Sequence, residues 1–357
     1  MSMHAMVATG PARPLQWQEL PLPQPGAGEV RLRVEACGVC HSDALLLGGR
    51  YPGLTYPRIP GHEVIGVIEA LGAGVAGWEV GARVGVGWNS GCCGYCSRCR
   101  HGERFACENI HAPTGILRDG GYATHMLARA SALARVPAEL DPVEAAPLLC
   151  AGITTFNALR HCGAGPGELV AIHGVGGLGH LGIQFAARMG LRTVAINRGT
   201  DKEPLARQLG AEDYIDSSAT DPAAALRALG GAKAILATVT DAQAMQAVAG
   251  GLGPNGTLLV IGGVGALTVD SLDLLAKRAA VRGWYSGTAV DSEDTLRFSL
   301  EHAVASRNEI YPLEEAQAAF ERMMSGRARF RVVLRVGAAR RRVMPGGREA
   351  ASRVKPP

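Results

Sequence analysis

The sequence has little net charge of its own. The formal balance is +4 over 357 residues, yet the segment after Gly337 holds Arg340, Arg341, Arg342, Arg348, Arg353 and Lys355 against Glu349 alone. The rest of the chain is therefore close to −1, and the broad positive field of a nucleic-acid binder is missing. Residues 338–357 read as a disordered, solvated basic tail. Met1 to Leu20 lacks a charged start followed by an apolar core, so no secretory signal is expected and the cytoplasm is the default location. The run Leu169 to Ala187 lacks Asp, Glu, Lys and Arg and is long enough to raise the question of a membrane span. Its five glycines and two histidines speak instead for a buried strand turning into a buried helix. No internal repeat is present, and no low-complexity stretch except the tail.

What is abundant is glycine, at 48 residues, well above average usage and a sign of many tight backbone sites. The length suffices for two domains, each with its own core. From Glu29 to about Val136, short β-rich segments (Val30–Val34, Val64–Ala70, Ala82–Gly87) are broken by Gly and Pro, the punctuation of a barrel-like β domain. From Leu169 the rhythm changes. Apolar strands at Leu169–Ile172, Thr193–Ile196, Ala234–Val239 and Thr257–Ile261 alternate with helical patterns at Leu178–Met189, Lys202–Leu209 and Ala242–Gly250. Such alternation implies an α/β fold with a parallel, doubly wound sheet. A helix at Glu293–Ala305 and a strand at Arg331–Val336 follow. The expected division is 1–148, completed by 290–337, and 149–289.

Gly174, Gly176 and Gly179 form G-x-G-x-x-G directly after an apolar strand and at the start of a helix, with Gly177 and Leu178 inside the turn. The first glycine permits the tight turn, the second lets a pyrophosphate approach the backbone, and the third allows close helix-to-strand packing. The helix N-terminus then meets the negative charge. In a glycine-rich chain the pattern alone is weak; its strand-turn-helix context makes it a dinucleotide site. At the end of the next strand the acid that would grip a ribose 2′-hydroxyl is absent, and Asn197 and Arg198 stand there instead. Without a carboxylate to repel a 2′-phosphate, and with Arg198 able to bond one, the reading leans to NADP over NAD. Lys202, at the start of the following helix, joins Asn197 and Arg198 as a coenzyme-facing candidate.

Nine cysteines in a reducing compartment point to metal ligands before disulfides. Cys93, Cys96, Cys99 and Cys107 are spaced C-x2-C-x2-C-x7-C, the pattern of a closed, structural zinc site. Cys92 is a fifth thiol at the same turn, and even spacing favours Cys93. No histidine pair follows at the interval of a nucleic-acid finger. A second set is dispersed: Cys40 in Cys40-His41-Ser42-Asp43, His62-Glu63 after Gly61, and Cys150. Two thiolates and one imidazole with an open fourth position suit a catalytic zinc. Taken singly, Cys150 in its apolar run reads as a core thiol and His62 as a satisfied histidine; their company beside a dinucleotide loop reverses that.

Together these segments resemble the zinc-containing medium-chain alcohol dehydrogenases, from about residue 5 to 336. The resemblance implies a GroES-like barrel-type catalytic domain carrying two Zn2+ ions, plus a Rossmann domain carrying the coenzyme. It implies Cys40, His62 and Cys150 as zinc ligands, with the carboxylates of Asp43 and Glu63 behind them, Glu63 also counting among the metal-site residues. Ser42 would touch the substrate oxygen, His41 and Arg331 would lie near the pyrophosphate, Thr154 against the nicotinamide, and Tyr51 and Trp88 in the substrate pocket. One departure stands out: many relatives end their proton relay with a histidine three residues after Ser42, where this chain has Leu45. The implied activity is hydride transfer between a primary alcohol or aldehyde and NAD(P), in a homo-oligomer, dimer or tetramer, with no nucleic-acid or membrane partner. Rival readings are a polyol dehydrogenase, disfavoured by a thiol where that group uses a carboxylate, a non-catalytic thiol redox sensor, and a zinc-less quinone reductase, which fails on Cys40, His62 and Cys150 together.

Overall fold

The computed structural model describes residues 1–110, 112–263 and 265–337; the expected basic tail, 338–357, lies outside them. From Leu169 onward six strands form one sheet in the order Asp213–Asp216, Arg192–Asn197, Leu169–His173, Ala232–Ala237, Leu252–Val260, Ala280–Gly283. Every ladder in it is parallel. Counted along the chain the order is 3-2-1-4-5-6, and the winding reverses between Leu169–His173 and Ala232–Ala237. That switch point opens a crevice beyond the strand C-termini. The central strands are apolar throughout because both faces are covered. Alternate side chains go to opposite cores: Val170 and Ile172 join Leu181 and Leu236 on one side, while Leu169 and Ala171 join Leu226 and Val248 on the other.

The first part of the chain builds a seven-stranded mixed sheet around Glu29–Val39, which pairs antiparallel with Val64–Leu71 on one edge and with His125–Arg129 and Arg331–Arg335 on the other. Val30, Leu32, Val34 and Ile68 fill its interior with the fully buried Tyr122. The late strand Arg331–Arg335 lies antiparallel to Ala36–Val39, so residues some 290 positions apart in the chain share one sheet. The helix expected from Glu293 runs instead over Ala289–Glu301. Its start is set by a capping box, in which Asp291 accepts from the Thr288 backbone and hydroxyl. It packs on Ala151–Arg160 through Phe298, whose ring lies 5.0 Å from Phe156 and 5.9 Å from Phe185. Among the described residues no helix is long and apolar enough to cross a membrane.

Candidate functional site

Strand register assembles the first cluster. Cys37 pairs with Val64, and the Gly38 N–H donates to the Glu63 carbonyl at 2.9 Å. His62 and Glu63 therefore lie beside Cys40, which leaves the end of the Glu29–Val39 strand. Gly38 has to be glycine, since a Cβ there would fall 1.9 Å from Glu63 Oε2. Cys150 arrives between the short helix Ala146–Leu149 and the helix Ala151–Arg160. Room for that segment comes from Gly85 and Gly87, whose Cβ atoms would meet Leu149 at 2.9 and 2.8 Å.

The result is a compact donor set: Cys40, His62, Glu63 and Cys150 each place a ligating atom within 4.8 Å of the others. The two sulfurs are 3.7 Å apart and unlinked, close to the spacing of about 3.8 Å that two thiolates adopt on a tetrahedral zinc. The Cys40 thiol is held well below its usual range by the bond from Cys150 and, against desolvation, by His62. Asp43, fully buried, organises the cluster. Its Oδ2 accepts the Cys40 N–H at 2.9 Å and the Tyr122 hydroxyl at 2.9 Å, and its Oδ1 lies 3.3 Å from His62 Nδ1. His62 Nε2 is buried with no protein partner, an expensive condition for a ring nitrogen unless an ion occupies it. The residues fit a zinc ion.

Arg331 ties this cluster to the other half of the molecule. Its guanidinium donates to Glu63 and, at 3.3 Å, to the Val39 carbonyl, and Nη1 lies 3.1 Å from where a Gly177 side chain would begin. Burial pushes the Glu63 carboxyl up to about 7 against the pull of Arg331. The sheet register Val332↔Val39 is what delivers Arg331 to this place.

Cys93, Cys96, Cys99 and Cys107 form the second set, again within 4.8 Å, and Cys92 stands outside it. Backbone N–H groups point at the sulfurs: Cys96 to Cys93 at 3.4 Å, Cys99 to Cys96 at 3.5 Å and Cys93 to Cys107 at 3.4 Å. These donors favour thiolates. Against desolvation, the Tyr95 and Cys96 amides and the Asn109 side chain bring the Cys93 thiol down to about 6. Burial and the neighbouring sulfurs push the Cys99 thiol up to about 12, so all four sulfurs ionise together only around a cation, and zinc with four sulfurs suits this donor set.

At the switch point, a cleft of about 500 Å3 is lined by Gly174, Gly176, Asn197, Arg198 and Lys202 together with Thr238 and Asp241. Gly174 has φ +99°, where a Cβ would strike Thr238 at 2.7 Å, and the Gly179 Cα faces the Gly174 carbonyl so closely that a Cβ would sit 1.7 Å from it. Nothing lies within 4 Å of a Gly176 Cβ, so the space there is open. Asn197 does not reach freely into the cleft: its Oδ1 accepts from the Val175 N–H at 3.2 Å and its Nδ2 donates to the Arg198 carbonyl at 2.9 Å. Lys202 donates to the Val175 carbonyl at 2.7 Å, bracing the loop from the other side. Thr238 and Asp241, on the second wall, are absent from the sequence reading because they carry no spacing signal; the strand end before them, Ala232–Ala237, was the available clue.

Among the remaining predicted residues, Thr154 is buried, Ser42 half-buried and His41 exposed. Ser42 precedes the helix Asp43–Leu47 without using its side chain as a cap. Trp88 stands edge-on to His62, with ring centroids 5.0 Å apart, and Tyr51 is 6.3 Å from Trp88. Both line a cavity of about 180 Å3 whose other wall contains Phe105, Ile110 and Tyr285. Phe105 and Tyr285 are about half exposed and come from segments some 180 positions apart, which is why a linear reading passes over them.

Two family models match the chain: the alcohol dehydrogenase GroES-like domain over residues 26–138 and the zinc-binding dehydrogenase domain over 177–301. The chain is 45% identical over 323 residues to the alcohol dehydrogenase notN of Aspergillus sp. (strain MF297-2), covering 90% of this chain and 94% of that one. It is 38% identical over 337 residues to an alcohol dehydrogenase of Geobacillus stearothermophilus, covering 94% and 100%. Among solved structures it is similar to the acetophenone reductase of Geotrichum candidum NBRC 4597 in complex with NAD, with a TM-score of 0.83, 27% identity and coverage of 94% and 97%. The chain belongs to the zinc-containing medium-chain alcohol dehydrogenases. It is an oxidoreductase of the alcohol dehydrogenase or aldehyde reductase kind, with GroES-like and Rossmann-type halves.

Proposed function

We propose that this enzyme moves a hydride between a primary alcohol or aldehyde and a nicotinamide coenzyme, NADP(H) in preference to NAD(H), with one zinc held by Cys40, His62 and Cys150 and a second by Cys93, Cys96, Cys99 and Cys107. The observation that carries the reading is the convergence of two sulfurs and a partnerless ring nitrogen from three distant segments, tied by Arg331 to the glycine loop of a dinucleotide cleft. When bound, the metal supplies Lewis acidity to the substrate oxygen and the coenzyme accepts or donates the hydride. The chain's own part is orientation and proton handling. Asp43 faces His62 Nδ1 and leaves Nε2 for the metal. Ser42, with its hydroxyl uncommitted to the helix cap, is placed two residues from Cys40 to accept the alcohol proton. Trp88 closes one side of the site against water. Arg331 pairs with Glu63 and would offer its guanidinium to a pyrophosphate beside Gly177, and the buried Thr154 would meet the nicotinamide. The test is absorbance at the reduced-coenzyme band with a panel of alcohols and aldehydes and both coenzymes, before and after chelation. A metal-loaded protein that turns over none of them ends the reading.

The coenzyme preference rests on Arg198, which lines the cleft just after the strand Arg192–Asn197, where Asn197 stands in place of the acid that would grip a ribose 2′-hydroxyl. Arg198→Ala is expected to lower kcat/KM for NADPH about fivefold, the upper range for an ion pair at an exposed residue, with little change for NADH. A wild-type enzyme favouring NADH tenfold overturns the preference. Leu45 packs against the barrel core and leaves the proton relay without a terminal histidine, so protons are proposed to leave through His41 or water. Leu45→His is then expected to change the pH profile of alcohol oxidation, and an unchanged profile counts against a relay limited at this point. We further assign 1–148 with 290–337 to the catalytic unit and 149–289 to the coenzyme unit. A cytoplasmic homo-oligomer, dimer or tetramer, accords with nine cysteines free of disulfides and with the fully exposed edge strand Ala280–Gly283, since unpaired strand edges are usually covered.

A further inference from the structure

Tyr122 is the largest fully buried side chain among the described residues. It sits in the barrel core with Val30, Leu32, Val34 and Ile68, where a phenylalanine would fill nearly the same space. A hydroxyl in such surroundings is costly unless it finds an acceptor. The chain makes room for the ring with glycine. Gly61 has φ +100°, and a Cβ there would strike the ring at 2.5 Å. Backbone bonds then lace the tyrosine's segment to the one that carries His62. The Gly120 N–H donates to the Ile59 carbonyl at 2.8 Å, the Gly121 N–H to the Gly61 carbonyl at 3.0 Å and the Tyr122 N–H to the Pro60 carbonyl at 3.0 Å. His62 follows directly, so phenol and imidazole are set on one scaffold.

The acceptor that the hydroxyl finds is Asp43 Oδ2, at 2.9 Å, and the same oxygen takes the Cys40 N–H at 2.9 Å. The terminal torsion of an aspartate is broad when nothing restrains it. Two donors on one oxygen, from segments 82 positions apart in the chain (122 minus 40), remove that freedom. What remains is Oδ1, buried, with no bond of its own and 3.3 Å from His62 Nδ1. A carboxylate in that place fixes the ring's orientation and keeps its proton on Nδ1, which turns the lone pair of Nε2 toward the donor set. With the Cys40 N–H as its sole donor, Asp43 could rotate and carry Oδ1 out of line with the ring.

We propose that Tyr122 is a positioning residue of the catalytic centre: its hydroxyl holds Asp43 Oδ2 so that Oδ1 stays aimed at His62, and through that aim it sets how firmly the centre keeps its ion. The inference rests on the zinc reading of Cys40, His62 and Cys150 above and extends that site by one residue, outward from His62 through Asp43. Its ring is packing, and its hydroxyl is the functional part.

The test uses the full-length, zinc-loaded enzyme and Tyr122→Phe, which keeps the ring and removes the hydroxyl alone. Timed exposure to a chelator, followed by elemental analysis, should show one ion leaving the variant about tenfold faster than the wild type, the lower range for partners behind a metal ligand. The ion of the four-thiol lobe should leave at the wild-type rate, which shows that the fold is intact. Cobalt(II) exchanged into the emptied site should absorb at shifted visible wavelengths, and kcat should fall about tenfold with NADPH affinity unchanged. Two comparisons separate aim from packing. Tyr56→Phe removes another phenol hydrogen bond of the same half, to the Leu46 carbonyl at 2.6 Å, and should keep both ions and full activity whatever it costs in melting temperature. Asp43→Asn should loosen the same ion, and Tyr122→Phe added to it should cost little more, because an effect carried through Asp43 is not additive. Wild-type ion retention in Tyr122→Phe overturns the proposal, as do full additivity with Asp43→Asn and equal ion loss from Tyr56→Phe. If the wild type itself holds an ion in the four-thiol lobe alone, the zinc reading beneath the proposal has failed.

Discussion

Cys150→Ala is expected to lower alcohol oxidation by about three orders of magnitude while coenzyme binding stays near the wild-type value. The side chain has no packing role that would explain such a loss, being only half-buried, with the Cys40 sulfur at 3.7 Å as its polar partner. Its removal leaves Cys40 and His62 as the nitrogen and sulfur donors, too few to hold an ion that must also keep an open position. A Lewis acid at the substrate oxygen contributes several kcal/mol to the barrier, and about 4 kcal/mol corresponds to roughly a thousandfold in rate. The coenzyme cleft is built from other residues, so titration with reduced coenzyme should show unchanged affinity. Metal analysis should find one ion per chain in place of two. Cys162→Ala serves as the control, since Cys162 is buried in the helix-side core away from both thiol clusters. Full activity in Cys150→Ala, or an unchanged metal content, would sink the assignment of this thiol.

The contrast between the two cysteine sets explains how far the sequence could be read. The four-thiol lobe spans Cys93 to Cys107, and a site whose ligands are that close in the chain writes its geometry into its spacing. Cys40, His62 and Cys150 are brought together by strand register and by the room that Gly85 and Gly87 leave for Leu149. Neither is visible as a local pattern, and here the family resemblance supplied what spacing did not. The central strands of the parallel sheet were legible because both faces are buried and their apolar runs are continuous. Asp213–Asp216 and Ala280–Gly283 were not, since one is short with acids at both ends and the other is exposed along its whole length. Asn197 shows the limit at single residues. Its position at the end of the second strand was readable, but its amide is spent on the Val175 N–H and the Arg198 carbonyl. Phe105 and Tyr285 meet only through the fold.

Two alanine substitutions in the glycine loop should separate what the loop does for folding from what it does for the coenzyme. Gly179→Ala places a methyl group 1.7 Å from the Gly174 carbonyl oxygen. A backbone atom inside a tight turn cannot rotate away, so the helix Gly179–Arg188 has to shift from the strand that precedes it. The cost should reach about 3 kcal/mol, the upper range for overpacking, and it should appear as a lower melting temperature without any ligand present. Coenzyme affinity falls with it, because the amide groups that face the pyrophosphate move too. Gly176→Ala has no such clash, with nothing within 4 Å of the added carbon and an ordinary φ. Its melting temperature should match the wild type. The methyl group instead fills the space through which a pyrophosphate must approach the backbone, and coenzyme should bind about a hundredfold more weakly, equivalent to about 2.7 kcal/mol. Thermal melts of the free proteins and fluorescence titration with NADPH measure the two effects independently. Wild-type affinity in Gly176→Ala would mean that the dinucleotide does not pass over this turn, and the cleft between the first and fourth strands would lose its assignment.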